Sequence, residues 1–222
     1  MTMKTQSNRH PVNGGSENEK RGFSLIELVV AMAVMLCLMG ALTPALNGLG
    51  KSGSLNGGGE LVANLLSSAR QNSLSKNAMT ALVMVTDPDV DNQHRMFTML
   101  ELRTPRGGAL PTSSDWKQIA KWEILANGIV VNNWSESSTA VSPALPSVHC
   151  GNRQISQFKS IIFMPDGSTY NDSPATFELI EGFFPRGAST PLLTGRSQNG
   201  EAVNYYKLTV LNSTGRVKIE RP

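Results

Sequence analysis

Three stretches with different hydrophobic patterns follow one another along the chain. Apolar residues run almost without a break from Phe23 to Leu46, and Glu27 is the one charged residue inside that run. Apolar positions then recur at helical spacing over residues 60–77, and short runs of strand-forming residues fill the remainder. This order predicts an apolar N-terminal helix, an amphipathic helix and a β-rich body.

The apolar run of residues 23–46 is long enough to be a retained membrane helix. About 20 residues are needed to cross a hydrocarbon core. The alternative is a cleaved secretory signal, which has a shorter apolar core and ends in a small-residue cleavage site. The end of this run, ALTPALNGLG, lacks a clear site of that kind. Retention is favoured, with Lys20 and Arg21 on the cytoplasmic side and the C-terminal body across the membrane.

Glu27 has two interpretations. Ser24 and Glu27 stand at the spacing of a capping box, in which each side chain satisfies a backbone N–H at the start of a helix. An acid inside an apolar segment is costly, however, and usually indicates a partner of opposite charge. If the chain were cut after Gly22, the new amine at Phe23 of a neighbouring copy would supply that charge.

Glycine separates the two predicted helices. Six of the fourteen residues from Asn47 to Glu60 are glycines, and each costs a helix about 1 kcal/mol relative to alanine. The sequence therefore predicts a flexible hinge over 47–59. The helix that follows is expected to pack on the body through an apolar face, with a polar face formed by Glu60, Asn64, Ser68 and Gln71. The predicted apolar face comprises Leu61, Val62, Leu65, Leu66, Ala69 and Leu74.

Short runs rich in β-branched, aromatic and methionine residues begin at Ala78. Turn signals such as DPD, PRGG, PDGS and NSTG divide them, and we interpret the runs as seven strands. Because no helix intervenes, the sheet should be mainly antiparallel. The predicted fold class is α+β, with a disordered leader over residues 1–22, the membrane helix over 23–46, the hinge over 47–59 and the body over 60–222.

The segment RGFSLIELVVAMAV resembles the N-terminal signal of type IV pilins and of the pseudopilins of type II secretion. The resemblance implies that a prepilin peptidase cuts after Gly22 and methylates Phe23, and that Glu27 directs assembly. It also places Pro44 where pilin helices are often kinked, which agrees with the loss of a backbone donor at proline. The implied location is the bacterial inner membrane, single-pass, followed by a filament. The implied partners are other pilins in a helical filament, an inner-membrane assembly platform and membrane lipid.

Two further motifs, both in the β-rich body, resemble one particular group of these proteins. FMPDGS and the later GRV are similar to signatures of the GspH/FimT group of minor pseudopilins. The first is expected to be a strand entering a turn at Pro165 and Gly167, and the second a hairpin that turns at residues 212–215. The intervening region, Thr86 to Gln157, matches no motif of a known family.

Composition and motifs favour a protein without catalysis. The net charge is +3, but the body after Gly22 carries 16 basic and 15 acidic side chains. No nucleophile elbow, phosphate-binding loop or zinc-protease motif occurs, so no enzyme activity or cofactor is expected. A metal pair at His149 and Cys150 is disfavoured because neighbours on an extended chain point in opposite directions. Alternate carboxylates at Asp87, Asp89 and Asp91 could bind calcium, although a solvated turn is the simpler interpretation.

Only two cysteines are present. Cys37 lies in the predicted membrane helix and Cys150 in the body, so they are too far apart for an internal disulfide. Cys150 is either free or paired with another subunit.

Three functions remain open. The preferred one is a structural minor subunit of a secretion pseudopilus or pilus-like filament, and a major pilin is a further possibility. The third function is that of a DNA-binding minor pilin for DNA uptake. Arg216 and Lys218 would then contact phosphate from one face of the last strand, with Val217 and Ile219 facing inward. The near-neutral body and the adjacent Glu220 make DNA an unlikely partner.

Overall fold

The computed structural model describes residues 24–104, 110–135, 143–171, 173–195 and 197–221, without the side chains of residues 41–52. The chain divides into two compact units, Met1–Leu46 and Asn47–Pro222. One helix, α1 (Leu25–Lys76), contributes to both. The antiparallel body that follows the helix confirms the predicted α+β fold class.

The helical backbone of α1 includes the glycine-rich segment 47–59, where the sequence predicts a break. This part of the prediction is wrong, and packing supplies the reason. Gly58 and Gly59 are buried against the body: a Cβ at Gly58 would lie 3.3 Å from Ile129, and a Cβ at Gly59 would overlap the ring of Tyr206. The missing side chains let the helix approach the sheet closely, which offsets their low helix propensity. A role for residues 47–59 as a hinge stays a prediction.

The C-terminal part of α1 packs on the body through one face. Leu55, Val62, Leu66 and Ala69 are buried in the main core, and Leu61 and Leu65 pack at its edge. The predicted polar residues, at positions 60, 64, 68 and 71, are all exposed. Leu74 is 43% exposed, contrary to the prediction, because the buried position in that turn is taken by Ser73, whose hydroxyl donates to the carbonyl of Arg70.

The body contains two five-stranded antiparallel sheets. The strands of the first sheet are β1 (Thr80–Val85), β2 (Met96–Leu102), β3 (Trp116–Gln118), β4 (Glu123–Ile124) and β8 (Phe158–Phe163). Those of the second are β5 (Ile129–Ser135), β9 (Ala175–Phe183), β10 (Leu192–Leu193), β13 (Tyr205–Val210) and β14 (Val217–Glu220). The order of the first sheet is β3-β2-β1-β8, with β4 also pairing with β2, and that of the second is β10-β9-β13-β14, with β5 also pairing with β9.

Each of the seven predicted runs contains at least one strand, and two of the runs contain two. WKQIAKWEIL supplies β3 and β4, and the C-terminal run supplies the β13–β14 hairpin. The sequence patterns did not predict two short hairpins. These are β6 (Val148–Cys150) with β7 (Arg153–Ile155), and β11 (Ser197–Gln198) with β12 (Glu201–Ala202). Strands of two or three residues are too short to show an alternation.

The main core lies between α1 and the inner faces of both sheets. Leu82, Phe97 and Ile161 enter it from the first sheet, and Phe177 and Leu208 from the second. The strands alternate accordingly, as in β13, where Tyr206, Leu208 and Val210 are buried and the residues between them are half-buried. Smaller apolar clusters occupy the outer faces, where loops cover Ile162 on one sheet and Ile180 on the other.

Candidate assembly site

Glu27 lies in the first turn of α1 and contacts the backbone at the start of the helix. The Ser24 N–H donates a 2.9 Å hydrogen bond to its Oε2, and the Leu28 N–H donates to the Ser24 carbonyl. The Glu27 carboxylate therefore performs its half of a capping box. This contact uses one of the four lone pairs of the carboxylate, so the side chain keeps acceptor capacity for a second partner.

Apolar side chains surround Glu27 on every side of the helix. All described side chains from Ser24 to Gly40 are exposed, including Leu25 at 82%, Ile26 at 68% and Leu28 at 57%. A helix that is apolar all round is stable only when lipid or other apolar helices surround it. In such surroundings a carboxylate requires a hydrogen-bonded or cationic partner.

The other residues predicted for this segment are only partly described. Gly22 and Phe23 lie outside the described residues, so the cleavage site and the methylated residue stay predictions. Pro44 falls within the helical backbone, but its side chain is not described and the kink stays a prediction. Among the described residues, no helix is long and apolar enough to be recognised as a membrane span.

The two motifs of the body, FMPDGS and GRV, meet in the structure. The first forms a tight turn in which the Gly167 N–H donates to Met164 and the Ser168 N–H donates to the Asp166 carboxylate. The Thr169 N–H then donates to the carbonyl of Asn212, in the β13–β14 turn. Hydrogen bonds from Ser168 lower the pKa of the Asp166 carboxyl. These motifs therefore fasten the turn after β8 to the C-terminal hairpin.

Arg70 joins both turns to the helix, and sequence reasoning gave no sign of this. Its Nε donates to the carbonyl of Gly167 at 3.2 Å and to that of Thr214 at 2.7 Å. The turns approach so closely that a Cβ at Gly215 would overlap the Gly167 carbonyl oxygen. The two glycines have φ of +82° and +61°, values that favour glycine. The motif positions thus hold the sheets and the helix together.

The proposed DNA contacts do not form a free basic surface. Lys218 Nζ lies 2.7 Å from Oε1 of Glu220, whose other oxygen lies 4.0 Å from Lys207. The hydrogen bond and charge of Lys218 lower the pKa of the Glu220 carboxyl. Arg216 is exposed and precedes β14. Of the predicted inward pair, Val217 packs against the core, but Ile219, on the edge strand β14, is 45% exposed.

The candidate metal ligands are not gathered into a site. Among the described residues, no three His, Cys, Asp or Glu side chains are grouped closely enough to hold a metal. The Asp87 carboxylate instead accepts a hydrogen bond from the Asp89 N–H, and Arg153 contacts Asp89. Both cysteines are free: Cys37 is exposed and Cys150 half-buried.

Comparison with known proteins agrees with this arrangement at the N-terminus. Residues 18–43 match the prokaryotic N-terminal methylation motif, which covers the predicted cleavage site, Phe23 and Glu27. The chain thus combines this motif at its start with an antiparallel β body after the helix. A comparison with curated protein sequences finds no match.

Two solved structures each align with 76% of this chain. The minor pseudopilin EpsH of the Vibrio cholerae type 2 secretion system has a TM-score of 0.44 and 11% identity, covering 76% of this chain and 98% of its own. The type IV minor pilin FimU of Pseudomonas aeruginosa has a TM-score of 0.42 and 13% identity, covering 76% and 97%.

Proposed function

We propose that this chain is a minor subunit of a type II secretion pseudopilus or a type IV pilus-like filament. The prepilin peptidase would cut it after Gly22, and its apolar helix would then hold it in the inner membrane and later in the filament. One observation carries the proposal: Glu27 is the sole carboxylate in the exposed apolar helical segment 25–40, which lies within the match to the N-terminal methylation motif.

The proposed step is a charge pairing between subunits. Cleavage after Gly22 creates an amine at Phe23, which is protonated at neutral pH because α-amino groups titrate near 8. The Glu27 carboxylate of one copy would accept a hydrogen bond from the Phe23 ammonium of its neighbour. In apolar surroundings this attraction is far stronger than in water, so only a correctly staggered neighbour would satisfy both charges.

The body would add surface or tip contacts to the filament. Its fold is built from structural links such as the Arg70 bridge, and the described residues contain no metal cluster. DNA uptake is the weaker candidate, since Lys218 is engaged by Glu220.

The proposal is tested by exchanging Glu27 for glutamine and for aspartate in the producing cells. Glutamine can still cap the helix but carries no charge. We expect Glu27→Gln to be cleaved and inserted normally but to be lost from isolated filaments, and Glu27→Asp to retain part of the incorporation. Mass spectrometry should find the mature N-terminus at a methylated Phe23 in all three proteins.

Two controls complete the experiment. Gly22→Ala should accumulate uncut precursor, which separates a processing defect from an assembly defect. Incorporation of Glu27→Gln at the level of the unaltered protein would contradict the charge pairing and leave helix capping as the role of this residue.

A further inference from the structure

A polar cavity opens on the outer face of the second sheet, away from α1. Its volume is about 580 Å³, within the range of about 300–1,000 Å³ that is typical of small-molecule sites. Strands β5, β9 and β13 form one side, and β10 with the β11–β12 hairpin forms the other. The lining residues are Asn132, Asn133, Glu178, Ile180, Thr190, Pro191, Leu193, Gly200, Glu201, Ala202 and Tyr205.

A bulge in β5 supplies two of the polar side chains. The register between β5 and β9 shifts between Val131 and Trp134, which leaves Asn132 and Asn133 without partners in the ladder. Bulges redirect side chains and are frequent beside functional sites. On the opposite side, Asn199 and Gly200 both have positive φ and turn the β11–β12 hairpin back toward the sheet.

The cavity combines an apolar floor with a polar rim. Ile180, Leu193, Ala202 and Tyr205 belong to a small apolar cluster on this face. Above them, Asn133 Nδ2 donates to Glu178 Oε2 at 3.3 Å, which holds the carboxylate in place and leaves its other oxygen available. Glu201 is exposed at the hairpin.

Among the described lining residues, the rim offers both donors and acceptors and no basic group. Two amides, two carboxylates, one threonine hydroxyl and one phenol line the described cavity, with no Lys, Arg or His among the lining residues. Phosphate and carboxylate ligands are disfavoured because the carboxylates of Glu178 and Glu201 would repel them. A metal ion is disfavoured as well, since no group of three metal-binding side chains occurs in the described part of the chain.

We propose that this cavity binds a saccharide unit. Hydroxyl groups donate and accept, so they can use carboxylates as acceptors and amides as donors, and the apolar face of a sugar ring can pack on the half-buried Tyr205. Glu178 would accept hydrogen bonds from sugar hydroxyls, and Asn132 and Asn133 would donate to them. The unit is either a free saccharide or part of a polymeric glycan.

Calorimetric titration of the full chain, in a detergent without a sugar headgroup, tests the proposal. N-acetylglucosamine and glucose are the probes, and acetylated arginine amide is the comparison ligand. We expect a Kd of about 1 mM for one of the sugars, and Glu178→Gln to weaken it about tenfold. Glu123→Gln, an exposed acid on β4 of the other sheet, is the matched control and should leave the Kd unchanged.

Thermal unfolding of Glu178→Gln shows whether its fold is intact, and Glu201→Gln provides a second variant at the rim. Co-sedimentation with peptidoglycan sacculi distinguishes the sources: binding that Glu178→Gln reduces indicates a polymeric glycan, and sugar binding without sacculus binding indicates a free saccharide. The proposal is overturned if neither sugar binds, if the arginine amide binds more tightly than either sugar, or if both glutamine variants bind as the unaltered chain does.

Discussion

The contact between Gly59 and Tyr206 gives the most direct test of how α1 docks on the body. In Gly59→Ala the new methyl group would overlap three ring carbons of Tyr206. The ring cannot move aside easily, because Tyr206 is 1% exposed and the Arg221 guanidinium lies 4.7 Å from its centroid. Gly57 is the matched control, since a Cβ there would have no heavy atom within 4 Å.

The two substitutions should act in opposite directions. Alanine gains about 1 kcal/mol of helix propensity over glycine at either position. At Gly57 this gain should appear in full. At Gly59 it is opposed by overpacking, which typically costs about 1–3 kcal/mol and lies at the upper end for so severe an overlap. We expect Gly57→Ala to stabilise by about 1 kcal/mol and Gly59→Ala to destabilise by about 1–2 kcal/mol.

Thermal unfolding of the full chain, followed by near-ultraviolet circular dichroism, measures the difference. For a body of this size 1 kcal/mol corresponds to about 2–4 °C, so the two Tm values should differ by roughly 4–12 °C. Equal Tm increases in both variants would refute the close approach of the helix at Gly59. A loss of filament incorporation in Gly57→Ala, despite the higher Tm, would show that residues 47–59 act as a hinge.

Three further predictions concern the body. The pKa of His94, stacked 3.9 Å from Phe184, is lowered by burial to about 4. Because this value lies below the unfolded one of about 6.5, the contribution of His94 to stability is complete above pH 6.5 and declines toward pH 4. Urea unfolding should show that the free energy of unfolding falls by about 2 kcal/mol between pH 7 and pH 5. This fall should be absent in His94→Asn, because asparagine tolerates the positive φ but does not titrate. An identical pH dependence in the two proteins would contradict this. Arg70→Met should destabilise the body by about 2 kcal/mol in urea unfolding. Ser67→Ala, which loses only a hydrogen bond to its own helix, should change the free energy of unfolding by less than about 0.5 kcal/mol. Equal effects of the two substitutions would count against the Arg70 bridge. Removing both charges in Arg216→Gln/Lys218→Gln should leave the weak, nonspecific affinity for double-stranded DNA of about 10⁻⁴ M nearly unchanged in a fluorescence anisotropy titration, and micromolar binding abolished by this change would favour the DNA-receptor function.

The local patterns of the sequence determined the N-terminal segment and the type of the body. Glu27 stands out because a single acid in a long apolar run is visible without any tertiary contact. The runs that contain the longer strands, such as β2, β9 and β13, are visible because alternation along a strand is a property of neighbouring residues. The polar face of the helix over residues 60–77 follows from spacing alone in the same way.

Contacts between residues distant in sequence determined the features that local patterns did not predict. Glycine propensity predicted a break over residues 47–59, but Gly59 serves the approach to Tyr206, almost 150 residues further along the chain. Arg70 is an ordinary helix residue in the sequence, and only the meeting of two turns near residues 167 and 214 makes it a bridge. Alternation along the last strand predicted that Ile219 faces the core, but its side chain is 45% exposed. Local energies set which elements form, whereas the close packing of their surfaces, which no local pattern encodes, sets where each side chain lies.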